Sequence, residues 1–415
     1  MRALIPLIAG GPVIRAQTQS HKLTLRRYGG TRRVNPRQYE FCILTAVLSL
    51  VLLAYCGAAL SAEDGPTGVT VPTVLAPFNR GAAICEGPPG LEKILAFAQD
   101  NEREFMQGVR RGLAAAAEDR HLAFRVELAG NDAARMNELI DALRDEKVGA
   151  VVASPVDPIS LAPHLQKLIW SGAFVGTIVP PPATLLLNAP QYLTGKVLGD
   201  AAADYIRTQL GGQAKVVLLT HDSLQFLAPR FVAMRDALRA IPGVTIVADI
   251  SPATVNKEGG LAMMRTILLA QPKIDVVLGA DTVVLGALAA LRVAGAARPD
   301  RFLGGIDGEP EAVAEIKKGN GPYKASVSLA SPVFGYAMGH FAADWLDGQS
   351  VPQAMDILPR ALTLANIGQY EADIADPAAV FREPARRDAY LRMYGNICYD
   401  TRERYINFPW SSEAR

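Results

Sequence analysis

Ile274-Asp275-Val276-Val277-Leu278-Gly279-Ala280-Asp281-Thr282 is a short apolar run, a glycine exit and the start of an amphipathic segment that continues to residue 294. A nearly continuous apolar run with one charge near its start fits a strand covered by helices on both faces. Asp281 then begins a helix, where a carboxylate serves as an N-cap by accepting backbone N–H bonds. The same unit recurs along the chain. Apolar runs stand at 94–98, 124–128, 148–153, 174–179, 215–220, 244–250, 274–279 and 302–306. Between them, 102–118, 133–144, 160–170, 195–210, 228–240, 260–270 and 282–294 carry apolar residues at helical spacing. Short strands alternating with ~10 to 15 residue helices predict β-α-β units and a mainly parallel sheet, hence an α/β protein.

The chain has 415 residues, more than one compact core comfortably holds, so two domains with extra segments are expected. Half the residues are apolar (50%) and 20% are charged, which fits a globular protein. Lys and Arg (42) nearly cancel Asp and Glu (41), so no overall field would attract nucleic acid or an anionic membrane. A small neutral or zwitterionic partner suits this balance. Arg26, Arg27, Arg32, Arg33 and Arg37 precede an apolar run at 41–54, then small residues at 57–62. That order is a tripartite export signal with cleavage near Ala59 or Ala62. Joined, 41–62 also reach the ~20 residues needed to span a bilayer, so an uncleaved anchor is the alternative. Leu53-Ala54-Tyr55-Cys56 resembles a lipoprotein cleavage box, with bulky Tyr55 where that box wants a small residue. Each reading puts the rest of the chain outside the cytoplasm, in the periplasm. The long basic stretch, with no Met between Met1 and Met106, leaves a later, mis-assigned non-Met start open.

Cys42 and Cys56 belong to the export segment, which leaves Cys85 and Cys398 as a pair in an oxidising compartment. They are expected to form one disulfide, tying two irregular arms together; two buried free thiols are the alternative. Pro180-Pro181-Pro182 cannot continue a helix or a central strand and is read as the crossing between two halves. The expected division is an export signal at 1–62 and an irregular arm at 63–90. A first lobe follows at 91–179 plus 304–326, a second at 180–303 plus 327–367, and an appendage at 368–415.

Several stretches together resemble the ribose-type group of periplasmic solute-binding proteins, whose fold is shared with the lactose-repressor family. They are Phe105-Met106-Gln107-Gly108-Val109-Arg110-Arg111-Gly112-Leu113, Ala153-Ser154-Pro155-Val156-Asp157-Pro158, Tyr192-Leu193-Thr194-Gly195-Lys196 and Arg230-Phe231-Val232-Ala233-Met234. Gly279-Ala280-Asp281-Thr282, Leu285-Gly286-Ala287, Gly305-Ile306-Asp307-Gly308 and Leu364-Ala365-Asn366-Ile367 follow in order. The likeness covers about 91–367. It implies a type I periplasmic binding protein fold: two Rossmann-like lobes joined by three crossing strands, closing around a ligand.

The resemblance places Arg230 and Asp307 on ligand hydroxyls, where charged hydrogen bonds orient a polyol; an interlobe ion pair is the structural alternative. Phe105 matches an aromatic that stacks on the ligand ring, and would look the same as plain core. Ser154, Asp157 and Gln191 stand in cleft loops, each with a capping or solvated alternative. Asp281 is a candidate contact whose competing role is the N-cap. Three positions depart from the family pattern: Ile178-Val179-Pro180 stands for Asp-Arg, Ala280 for Asn and Leu329 for Gln. Losing these polar groups should change the ligand away from ribose. His21, His121, His164, His221 and His340 show no metal-ligand spacing, and P-loop, G-x-S-x-G and G-x-G-x-x-G motifs are absent. No enzyme, metal site or cofactor is therefore expected. The expected function is that of a monomer passing a small molecule to an ABC-type permease, or presenting it to a membrane receptor kinase.

Overall fold

The eight apolar runs become strands in two separate, mainly parallel sheets. The computed structural model describes residues 73–82, 85–178, 181–221 and 225–413. The export segment, with Cys42 and Cys56, lies outside the described residues.

The first sheet contains β1 (Glu92–Gln99), β2 (Ala123–Leu128), β3 (Val148–Ala153), β4 (Phe174–Ile178), β5 (Leu185–Asn188), β11 (Ala354–Ile357) and β13 (Leu391–Tyr394). Their order is β13-β11-β5-β4-β3-β1-β2. The second sheet contains β6 (Gln213–Leu219), β7 (Gly243–Ile250), β8 (Val276–Leu278), β9 (Phe302–Asp307), β10 (Tyr323–Ser328) and β12 (Arg360–Leu362). Its order is β12-β10-β9-β8-β6-β7. Only the edge pairs β10 with β12 and β11 with β13 run antiparallel. Every residue of β3 is buried, as a strand sandwiched between helical layers must be.

In the first lobe, α1 (Glu104–Asp119) and α9 (Ser331–Leu346) pack together, and α9 lies on β3 and β4. Gly112 permits that approach, since a Cβ there would overlap the Pro332 carbonyl. Helices α2 (Ala133–Asp145) and α3 (Pro158–Trp170) are opened by Asp132 and Asp157, whose carboxylates accept the N–H of Arg135 and Ile159 at 3.1 Å each. In the second lobe, α4 (Gln191–Gln209) packs on α5 (Ala228–Arg239), and α6 (Lys257–Ala270) on α7 (Asp281–Val293). Helix α8 (Pro310–Lys317) links β9 to β10. Among the described residues, no helix is long and apolar enough to cross a membrane.

Three crossings join the sheets, at 189–190, 329–330 and 358–359. A fourth, at 363–366, returns the chain toward α10 (Ile367–Ala375), α11 (Pro377–Arg382), α12 (Pro384–Asp388) and β13. This corrects the expected hinge. The proline run only connects β4 to β5, which pair in parallel from Gly176↔Leu185. Residues 304–326 move as well. β9 pairs with β8 at Val276↔Phe302, and β10 with β9, so both belong to the second sheet. Within 327–367, α9 and β11 belong to the first lobe.

The C-terminal residues are not an appendage. β13 extends the first sheet, Ile397 bridges to Val351 and Ile406 to Ala183, and Tyr390, Leu391, Ile397 and Ile406 are core. On the N-terminal arm, Pro77 bridges to Tyr394, and Phe78 donates its N–H to the Met393 carbonyl at 3.0 Å. Cys85 is disulfide-bonded to Cys398 across a sequence separation of 313, with Cα atoms 5.7 Å apart.

Candidate ligand cleft

Parallel strands deliver loops and helix N-termini at their carboxyl ends, and ligands of open α/β sheets sit there. In the second lobe, the first turn of α5 carries Arg230, only 9% exposed. Its Nε donates to Oε1 of Gln191, the first residue of α4, at 2.5 Å. Gly195 lets α4 lie this close, because a Cβ there would overlap the Arg230 carbonyl.

β9 ends at Asp307, whose φ of 118° is rare for a side-chain-bearing residue. Such backbone persists only where its surroundings hold it, and it concentrates at functional sites. The support is Asp281. Fully buried, it accepts Tyr323 Oη at 2.7 Å, Ser326 Oγ at 2.6 Å and the Glu309 backbone N–H at 2.9 Å. Ser326 Oγ in turn accepts the Gly308 N–H at 3.0 Å. The Asp307–Glu309 turn is thus pinned from behind by Asp281, through a gap at Gly305 that any Cβ would fill. Asp281 is therefore a positioning residue. Nor does it cap its own helix: Ala280 is the N-cap of α7, with no side-chain cap bond. Burial pushes the Asp281 carboxyl up to about 8, although its hydroxyl and backbone donors favour the charged form.

Burial likewise lowers the pKa of Arg230 and raises that of Asp307, while each charge stabilises the other. Arg103, at the start of α1 in the other lobe, also favours the ionised Asp307. Arg103, itself paired with Asp100 at 3.2 Å, is the weakest of these influences on Asp307. Glu309 rises to about 7, through burial and the nearby Asp307, Glu311 and Glu104.

The remaining expected residues divide. Phe105 is half-buried against Phe334, ring centroids 5.8 Å apart. Ser154 is buried, with its backbone N–H on the Ala98 carbonyl at 3.0 Å. Asp157 is the helix cap already described. The loop at 99–105 adds polar residues that the sequence analysis did not single out. There Asn101 donates to Asp100 Oδ2 at 3.1 Å and to Asn131 Oδ1 at 3.0 Å, and Arg103 to Asp100 Oδ2 at 3.2 Å. Buried side-chain oxygens without a hydrogen-bond partner stand at the carboxyl ends of β1, β4 and β6: Gln99 Oε1, Asp100 Oδ1, Thr177 Oγ1 and Thr220 Oγ1. A polar residue closing an apolar run was the available signal. Buried polar atoms of this kind require partners, from water or a bound molecule.

A family model described as a periplasmic binding protein domain matches residues 94–350. The chain belongs to this family. A ribose import binding protein of Bacillus subtilis (strain 168) is 26% identical over 262 residues, 60% of this chain and 80% of that one. An ABC transporter periplasmic-binding protein of Escherichia coli (strain K12) is 24% identical over 203 residues, 45% of this chain and 61% of that one. Among solved structures, a solute binding protein of Bacillus halodurans with bound myo-inositol aligns with TM-score 0.59 at 20% identity, covering 68% of this chain and 98% of its own. A Mycobacterium smegmatis protein in complex with β-D-fucofuranose aligns with TM-score 0.60 at 20% identity, covering 73% and 99%. The fold is that of the type I periplasmic binding proteins. The chain's matched relatives are binding and transport proteins.

Proposed function

We propose that this chain is a non-enzymatic, exported binding protein that traps a small sugar-like polyol between its lobes and delivers it, as a monomer, to an ABC importer. The grouping of Arg230, Gln191 and Asp307 at the carboxyl ends of the second lobe's strands carries the reading, because it sets charged and amide hydrogen-bonding groups around one polar guest. Ribose, myo-inositol and fucofuranose, named for relatives and neighbours, are all hydroxylated rings. The apolar Ala280 and Leu329 at family polar positions favour a ring with fewer hydroxyls to satisfy.

Calorimetry of the mature protein against a panel of pentoses, hexoses, deoxy sugars and inositols tests it. One ligand is expected to bind one-to-one and to reduce the radius of gyration in solution scattering. Arg230→Ala and Asp307→Ala should each weaken binding by about 2 to 5 kcal/mol, more than Asp281→Ala does at equal folding. Wild-type affinity in all three variants, or an unchanged radius with ligand bound, would sink the cleft assignment.

A further inference from the structure

A cavity of about 340 Å3 opens where β12 meets the C-terminal helices. Arg360, Gln369, Asp373, Arg386 and Tyr390 supply its polar wall, and Ala385 and Ala389 its apolar one. Arg386 pairs with Asp373 and donates to Glu383 Oε2 at 3.4 Å, while Arg360 makes a longer ion pair with Asp373. Asp373 is 2% exposed and accepts three hydrogen bonds: Oδ1 takes Gln369 at 2.7 Å and Arg386 at 2.5 Å, and Oδ2 takes the Tyr390 hydroxyl at 2.5 Å. These donors outweigh burial and hold its carboxyl below the usual range, so it remains an anion that cannot donate. Arg360 stacks on the Tyr390 ring at 4.5 Å from the centroid. It approaches Asp373 Oδ2 only to 3.9 Å, beyond hydrogen-bond distance. The buried Nε of Arg386 has no partner. Among the described residues, the Arg360 fork thus has a charge partner but no hydrogen-bonded acceptor.

We propose that this cavity binds a small monocarboxylate, held in two-point fashion by the stacked Arg360 fork with its short hydrocarbon part against Ala385 and Ala389. A guanidinium whose plane is fixed by an aromatic ring is preorganised for planar carboxylate recognition. The site straddles the fourth crossing, since Arg360 belongs to the second sheet while Arg386 and Tyr390 lead into β13 of the first. All of it lies beyond residue 350, where the family match ends.

Thermal-shift and calorimetric titrations of the mature protein with sodium acetate, propionate and lactate, against sodium chloride at equal ionic strength, decide it. Saturable stabilisation by the carboxylates alone is expected, weakened at least tenfold in Arg360→Gln and retained in Arg230→Ala. Should Arg360→Gln fail to fold, Arg360→Lys keeps the charge without the fork and must show the same loss. An equal response to chloride, a wild-type response in the Arg360 variant, or loss in Arg230→Ala, which would move the anion to the interlobe cleft, overturns the proposal.

Discussion

His340 lies on α9 with its ring 4.6 Å from that of Phe381, and the Arg120 guanidinium stands 3.2 Å from Nε2. Burial, ahead of the nearby charges, lowers its pKa from 6.5 to about 4. A histidine that stays neutral in the native state while the unfolded chain takes up a proton costs stability on acidification. The loss begins as pH falls below about 6.5 and is complete near 4; above 7 the group contributes nothing. His340→Gln removes this titration, so the stability of wild type relative to that variant should fall by about 2 kcal/mol between pH 7 and pH 5. Urea unfolding at the two pH values measures it, and a constant difference would show the ring to be solvated. In the sequence, His340 was one of five histidines without ligand spacing, since nothing local announces burial beneath Phe381. Arg230 and Asp307 were named as candidates only through the resemblance of the stretches that hold them, not from any local pattern of their own. Asp281 has the same local pattern as a helix cap, and only its distant donors Tyr323 and Ser326 reveal its role.

At the scale of elements, helices α4 and α5 set the spacing of Gln191 and Arg230. Gly195→Ala would drive a methyl into the Arg230 carbonyl, a backbone group that cannot turn aside. Overpacking of this kind costs about 1 to 3 kcal/mol, and here it also displaces the two cleft residues, so ligand affinity should fall with stability. Gly368→Ala on α10 is the control: nothing lies within 4 Å of its Cβ position, and about 0.5 to 1 kcal/mol of stabilisation is expected from helix propensity. Chemical denaturation of both variants, with calorimetry on the first, checks this. If Gly195→Ala kept wild-type stability, the helices would have room to slide. The eight long runs were readable because burial on both faces makes a strand nearly continuously apolar. β5, β11, β12 and β13 are three or four residues long, too short to carry a period, and β10, six residues that include Lys324, Ser326 and Ser328, lacks an apolar run, so these five went unnoticed.

Across the whole molecule, the Cys85–Cys398 disulfide joins the N-terminal arm to the segment after β13 over 313 residues. Closing so long a loop restricts the unfolded chain, and losing such a bond typically costs about 2 to 5 kcal/mol. The Cys85→Ser, Cys398→Ser double variant should lose stability by this amount in a denaturant titration while folding to the same structure. An unchanged midpoint would show that the hydrogen bonds of the two arms, such as Cys85 N–H to the Gly348 carbonyl at 2.9 Å, suffice to dock them. The pairing of these cysteines was deducible by elimination; the integration of 368–415 into the first lobe was not. Periodicity along the chain determined the α/β class and the parallel sheets, since strand and helix patterns are local properties of burial. Which sheet β9, β10 and α9 join, where the crossings fall, and that Asp281 supports the Asp307 turn were decided only in three dimensions. Those choices depend on which of several equally apolar surfaces meet, and contacts between residues far apart in sequence leave no local period to read.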